Sequence, residues 1–396
     1  MMFQFANVIL ADILMLKKVN YIPFLESCWQ EHLYHKEKKA PTVISLFAGG
    51  GGSSLGYSMA GFKELLAVEW NDNAVETFKS NFPDIPIYHG DITGLSTEHV
   101  LEMTKIRKGE LDILDGSPPC QGFSTAGKRD FADTRNQLFK EYVRLLRGLK
   151  PKIFIMENVS GMVKGVMRLI FVDILKELKD CGYKVSARLL NTMYFNVPQS
   201  RQRIIFIGVR EDLGMEPSHP KGGSIPITVK EALPHIDKII HDSSGLFSQG
   251  DITNKPSPCL TIGINSINFY HWKIEKETSI EGYAIGKEWE KLSPGEESDK
   301  FFNLKRIPID KPSQTITKEG GQNSGIASIT HPIEKRKLSI AELKRIGSFP
   351  DNFIMNGTYA QKWAVIGNSV PPLFMRSIAL HVKNNILNGN KEWQNS

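Results

Sequence analysis

Hydrophobic positions along the chain follow two rhythms. Apolar-rich runs at 42–46, 65–69, 111–114 and 153–156, and later at 184–190 and 204–209, have the length and content of strands buried in a sheet. Between them Leu138, Tyr142, Leu145, Leu146 and Leu149 recur at helical spacing, which predicts an amphipathic helix over 137–149 with Tyr142 in the core. Leu169, Ile170, Ile174, Leu175 and Leu178 predict another that stops near Gly182. Strands alternating with helices predict an α/β fold built on one main sheet.

From about residue 237 the pattern changes. Residues 238–330 are rich in Ser, Gly, Asn and Lys, carry only short apolar runs and show no α/β alternation, which predicts a smaller, irregular, β-containing domain. Two similar phrases in it, Lys255-Pro256-Ser257-Pro258 and Lys311-Pro312-Ser313-Gln314, read as strand entries. Helical spacing returns at 338–346, among Lys335, Arg336, Lys337, Lys344 and Arg345, and again in a closing segment, 373–386. At the other end Val8, Leu10, Ile13, Leu14 and Leu16 line one face of a helix in a segment, 1–41, whose role stays open. A chain of 396 residues exceeds one average domain, and 41% hydrophobic residues suffice for a large core plus a smaller domain.

Charge and cysteine usage narrow the picture a little. Forty-nine Lys and Arg against 43 Asp and Glu leave a formal net charge of +6, which permits a polyanionic partner without requiring one. Cys28, Cys120, Cys181 and Cys259 are scattered with no C-x-x-C pair, so neither a zinc site nor a disulfide framework is expected, and no metal. No run approaches the length of a membrane span, and the early apolar segment 8–16 is broken by Asp12 without a basic leader; the expected location is the cytoplasm.

The chemistry concentrates at the ends of the predicted strands. Strand 42–46 runs directly into Phe47-Ala48-Gly49-Gly50-Gly51-Gly52-Ser53-Ser54, a glycine turn and helix start that opens a Rossmann-like unit. The next strand ends in Glu69, placed to accept hydrogen bonds from ribose hydroxyls, with Trp70 beside it to pack on an adenine. After strand 111–114 come Gly116-Ser117-Pro118-Pro119-Cys120-Gln121-Gly122-Phe123-Ser124. A cysteine is usually a small buried hydrophobe, but a packing residue has no need of two preceding prolines. A nucleophile needs a rigid approach and an exposed sulfur. Strand 153–156 ends at Glu157, and a semi-buried carboxyl there suits a group that donates a proton near neutrality. Gln199, Arg201 and Arg203 precede the last strand and in an extended register point to one side. The segment 124–136 carries Lys128, Arg129 and Arg135, which suit phosphate contacts.

Taken together, Phe-x-Gly-x-Gly-Gly at 47–52, Pro-Pro-Cys-Gln at 118–121, Glu-Asn-Val at 157–159, the arginine pair and Gly-Asn-Ser-Val-Pro-Pro at 367–372 resemble, in order, the C5-cytosine DNA methyltransferases. The resemblance spans roughly 42–386. It implies a Rossmann-like S-adenosylmethionine-dependent catalytic domain over 42–237, a target-recognition domain over 238–362 and a return to the catalytic domain over 363–390. It also implies a covalent mechanism with Cys120 as nucleophile, Glu157 as acid and Arg201 and Arg203 on the O2 side of the base. Phe47, Ala48, Gly49, Gly51, Gly52, Glu69, Trp70, Asp91, Ile92, Asn368 and Val370 would then hold S-adenosylmethionine. Pro119, Gln121, Ser124 and Gln199 would meet the substrate, double-stranded DNA with a flipped-out cytosine. A monomer in a bacterial restriction-modification system, with a companion endonuclease, is the matching context. The competing readings are a tRNA cytosine methyltransferase of the same fold and a catalytically silent DNA-binding relative. Gly122-Phe123-Ser124 disfavours the first and the intact Cys120, Glu157 and Arg203 the second.

Overall fold

The computed structural model describes residues 18–34, 39–119, 137–165, 167–237, 274–323 and 325–388. Cys120, Gln121 and Ser124, the basic stretch 124–136, the helix expected at 8–16 and the phrase at 255–258 lie outside the described residues. In chain order come α1 (Tyr21–Tyr34), β1 (Thr42–Leu46), α2 (Gly52–Met59), β2 (Lys63–Glu69), α3 (Asp72–Asn81), β3 (Ile87–His89), α4 (Thr97–Thr104) and β4 (Ile113–Gly116). Then follow α5 (Gln137–Leu149), β5 (Ile153–Val159), α6 (Met167–Lys179), β6 (Tyr183–Asn191), β7 (Gln202–Arg210) and α7 (Val229–Ala232). Beyond them lie α8 (Ala284–Trp289), β8 (Lys305–Arg306), β9 (Ile329–Thr330), α9 (Ile340–Ile346), α10 (Tyr359–Asn368) and α11 (Pro372–Val382). None of the described helices is long and apolar enough to cross a membrane.

Strands β1 to β7 form a seven-stranded sheet in the order β3-β2-β1-β4-β5-β7-β6. The first five are parallel, and β7 runs antiparallel to both β5 and β6. Successive side chains on a strand face opposite ways. Val43, Ala67, Ile113 and Ile155 therefore enter one core with α1, α2, α3 and α9–α11, while Ile44, Leu66, Leu114 and Phe154 enter a second core beneath α5 and α6. Tyr142 is fully buried there, as its spacing predicts. With β7 reversed the sheet is mixed, yet it keeps the Rossmann-like doubly covered plan.

Chain order reverses at β1: the path goes outward to β2 and β3, then returns to β4 on the other side. Such a switch point leaves a crevice beyond the strands' carboxyl ends, where ligands bind in open α/β sheets. The described part of the irregular region carries a small core of its own, Ile280, Ile285, Trp289 and Leu304. Leu338, Ile340, Leu343 and Ile346, in and beside α9, instead share the large core with α1 and α11.

Candidate active site

Register assembles the site. Across β2, β1, β4 and β5, Val68, Leu46, Gly116 and Met156 lie in one row. The next residue on each strand is Glu69, Phe47, Ser117 and Glu157, so four sequence segments emerge side by side, with neighbouring strands about 4.8 Å apart. Glu69 pairs with His89 of β3, which brings Gly90, Asp91 and Ile92 to the same edge. Antiparallel pairing sets Arg203 of β7 opposite Val159 and aims it back at this row.

On the β1–β2 side the chain builds a cradle. Phe47 sits at φ 58°, a conformation that a bulky residue adopts only under strain, of the order of 1–3 kcal/mol. Gly49 follows at φ 55°, and a methyl group there would meet nothing within 4 Å, so the loop opens onto free space at this point. Its N–H donates to Glu69 Oε2 at 2.8 Å, while Trp70 and Asn71 N–H groups each donate to Oε1 at 2.9 Å. Glu69, expected to meet ribose hydroxyls, thus also fixes the loop that it faces. Gly52 needs its missing side chain, because a methyl would sit 2.6 Å from the Val370 carbonyl oxygen. That contact brings the distant 367–372 stretch onto the glycine loop. Trp70 stands 74% exposed beside the opening. Asp91 caps the turn holding Ile92, accepting from Thr93 N–H at 2.9 Å, and Asn368 is exposed near buried Val370. An open glycine cradle with a carboxylate at the end of β2 fits the nucleoside and methionine halves of S-adenosylmethionine.

On the β4–β5 side Glu157 lies within the strand, not beyond it, because β5 continues to Val159 through its pairing with β7. Its Oε1 is 2.6 Å from Arg203 Nε, and both side chains are largely buried. Asn158 Nδ2 donates to the Pro118 carbonyl at 3.1 Å. This bond ties the Glu-Asn-Val strand end to the turn leading through Pro119 to Cys120, a positioning role that sequence reasoning missed although it named the motif.

The two arginines separate. Arg201 was expected beside Arg203 on the O2 side of the base, but β7 begins only at Gln202 and the preceding segment turns away to bridge Gln199 to Ser313. The Arg201 guanidinium is buried and donates to the Ile316 and Gly367 carbonyls, each at 2.9 Å. Burial, and next the nearby Arg203 charge, push its pKa down to about 9, which leaves it charged at neutral pH. Gln199, expected to meet substrate, accepts from Ile316 N–H through Oε1 at 3.2 Å.

Beneath the cradle lies a polar cluster that the sequence pattern did not reveal. Asp115 on β4 is 2% exposed and accepts from Tyr57 Oη at 3.1 Å. Burial pushes its carboxyl up to about 7, and the charge of Glu157 adds to the rise. Glu64, whose Oε2 is shut off from solvent, accepts from Ser54 Oγ at 2.9 Å and is pushed up to about 8, again chiefly by burial. Cys181 donates to the Glu177 carbonyl at 3.2 Å, as suits a structural thiol. Among the described residues no His, Cys, Asp and Glu group is arranged to hold a metal ion.

A Rossmann-like sheet with a glycine cradle, an acid–arginine pair and a Pro-Pro segment at adjacent strand ends is the arrangement that the resemblance to the methyltransferases implies. Residues 41–384 match the family described as C-5 cytosine-specific DNA methylase, and the chain belongs to that family. It transfers a methyl group from S-adenosylmethionine to C5 of cytosine in DNA. It is 36% identical over 346 residues to the Type II methyltransferase M1.HphI of Haemophilus parahaemolyticus, covering 85% of each chain. With the Type II methyltransferase M.DdeI of Desulfomicrobium norvegicum it shares 32% identity, covering 85% of this chain and 87% of that protein. Among solved structures it resembles a protein encoded within an Escherichia coli prophage, with TM-score 0.64 and 25% identity, covering 88% of this chain and all of the other.

Proposed function

We propose that the chain methylates cytosine within one specific duplex sequence, through a covalent bond between Cys120 and C6 of an extruded base, as the modification enzyme of a restriction-modification system. The observation that carries this reading is the row of strand ends that sets the Pro118–Pro119 turn beside the Glu157–Arg203 pair. Glu69, Asp91, Ile92, Trp70, the 47–52 loop, Asn368 and Val370 are the residues to hold the cofactor, which supplies an electrophilic methyl group when bound. Ring carbon C5 is too weak a nucleophile to take that group unaided. Addition of the Cys120 thiolate to C6 pushes the C5–C6 electron pair toward C5, and Glu157 protonates or hydrogen-bonds N3 so that charge does not accumulate on the ring. Arg203 holds the Glu157 carboxyl in place and offers donors to O2, where charge develops. Once C5 carries the methyl group, loss of its proton restores the double bond and expels the Cys120 thiolate.

The Type II names of both relatives support the restriction-modification context; a companion endonuclease, a cytoplasmic location and a monomeric enzyme belong to the same proposal. The test is a duplex carrying 5-fluorocytosine at the target that bisulfite sequencing of expressing cells identifies. With S-adenosylmethionine added, a denaturant-resistant adduct through residue 120 is expected. Cys120→Ser gives no adduct while still binding cofactor. Failure of the wild-type protein to form the adduct overturns the covalent mechanism.

A further inference from the structure

Arg201 is a charged side chain, 3% exposed, that lies two residues from Arg203 yet leaves the site row. Its two carbonyl acceptors come from distant parts of the chain. Ile316 follows the bridge between Gln199 and Ser313, and Gly367 lies in the last turn of α10. Carbonyls at a helix end lack intrahelical partners, and a cation there is favourable, so Gly367 is a natural seat for one arm of a guanidinium. The two seats are also packed together. A methyl group on Gly367 would sit 2.7 Å from the Thr317 carbonyl carbon and the Lys318 nitrogen, and Trp363 Nε1 donates to the Thr317 carbonyl at 2.7 Å. Immediately after Gly367 the chain reaches Ser369 and Val370, which rest on Gly52 of the cradle.

We propose that Arg201 is a positioning residue of the cofactor pocket: its fork clamps the end of α10 to segment 315–317 and thereby holds 368–370 against the glycine loop. The inference rests on the reading of 47–52 and 368–370 as the cofactor pocket. A lysine reproduces the clamp only in part, because its ammonium presents all its donors from one point on a flexible stem, whereas the guanidinium reaches the two carbonyls from two separate nitrogens of a rigid plane. Arg203 acts on the other side of the same short segment, through Glu157. The stretch 199–203 therefore carries two separable functions, cofactor placement and base chemistry.

The experiment measures binding of S-adenosylhomocysteine by calorimetry, and KM and kcat for the methyl donor, in wild type, Gly52→Ala, Arg201→Met, Arg201→Lys and Arg203→Met. Arg201→Met is expected to weaken binding and raise the cofactor KM roughly tenfold with a much smaller fall in kcat, and Arg201→Lys to recover only part of the loss. Arg203→Met is expected to do the reverse, keeping cofactor binding and losing kcat. An Arg201→Met protein that binds like wild type, while Gly52→Ala does not, overturns the inference and spares the pocket reading. Gly52→Ala binding like wild type sinks the pocket reading and the inference with it. If Arg201→Met fails to fold, Trp363→Phe, which deletes the indole N–H bond to Thr317 and keeps a smaller aromatic ring in its place, is measured instead. A severalfold weaker cofactor supports the clamp, and unchanged affinity overturns it.

Discussion

Asp115 shows how much a single residue can hide from pattern reading. In the sequence it is the last polar residue before the Gly-Ser-Pro-Pro turn; in the structure it is a buried carboxyl on Tyr57 with its pKa raised to about 7. A carboxyl near 3.8 in the unfolded chain and near 7 in the folded one makes the folded state hold more protons between those values. Its stabilising contribution is therefore complete below about pH 4 and is lost as pH rises through about 7. Asp115→Asn keeps the shape and the acceptor for Tyr57 but cannot ionise. Thermal melts at pH 5.5 and 8.5 should place the variant closer to, or above, wild type at the higher pH. A constant difference between the two proteins across that range would mean that Asp115 does not titrate there. Glu157 and Arg203 were legible as chemistry because each stands where a predicted strand begins or ends. That they are partners was not legible, since only the antiparallel register of β5 on β7 brings them together.

At the scale of elements, helix α1 lies outside the 41–384 family match yet is part of the main core. Tyr21, Leu25, Cys28 and Trp29 fall on one helical stripe and are all buried. The Tyr21 hydroxyl donates to the Arg345 carbonyl, His32 Nδ1 pairs with Ser58 Oγ of α2 at 2.7 Å, and Glu31 takes Arg376 of α11 at 2.8 Å. Sequence reading placed a helix at 8–16 and overlooked this one, which carries Pro23 in its first turn. In a first turn proline costs little, since the N–H that it lacks has no intrahelical partner. Leu25→Ala should cost about 2–5 kcal/mol, as for other buried leucines. Urea denaturation checks this, and a loss below roughly 0.5 kcal/mol would show that α1 is dispensable to the core. Helix α5 was read to its ends because its apolar stripe is continuous and faces a single sheet.

For the whole molecule, the large core is discontinuous in sequence: α11 returns to pack on α2, and the irregular region is inserted between β7 and that return. Extrusion of a cytosine costs about a few kcal/mol, which contacts from a second body of protein must offset. Replacing residues 238–330 with the corresponding segment of a relative of different specificity should therefore change the sequence methylated. Bisulfite sequencing of plasmid DNA reads the outcome, and an unchanged target would assign recognition to the catalytic domain. By itself the sequence determined six of the seven strands of the main sheet, the order of the chemistry-bearing turns and the identity of the groups in them, because runs, glycines and prolines act on a few neighbouring residues. Which of those groups meet was decided only by the tertiary structure. Arg201 finds its acceptors 115 and 166 residues downstream, and Gly52 finds Val370, through contacts that no local spacing encodes.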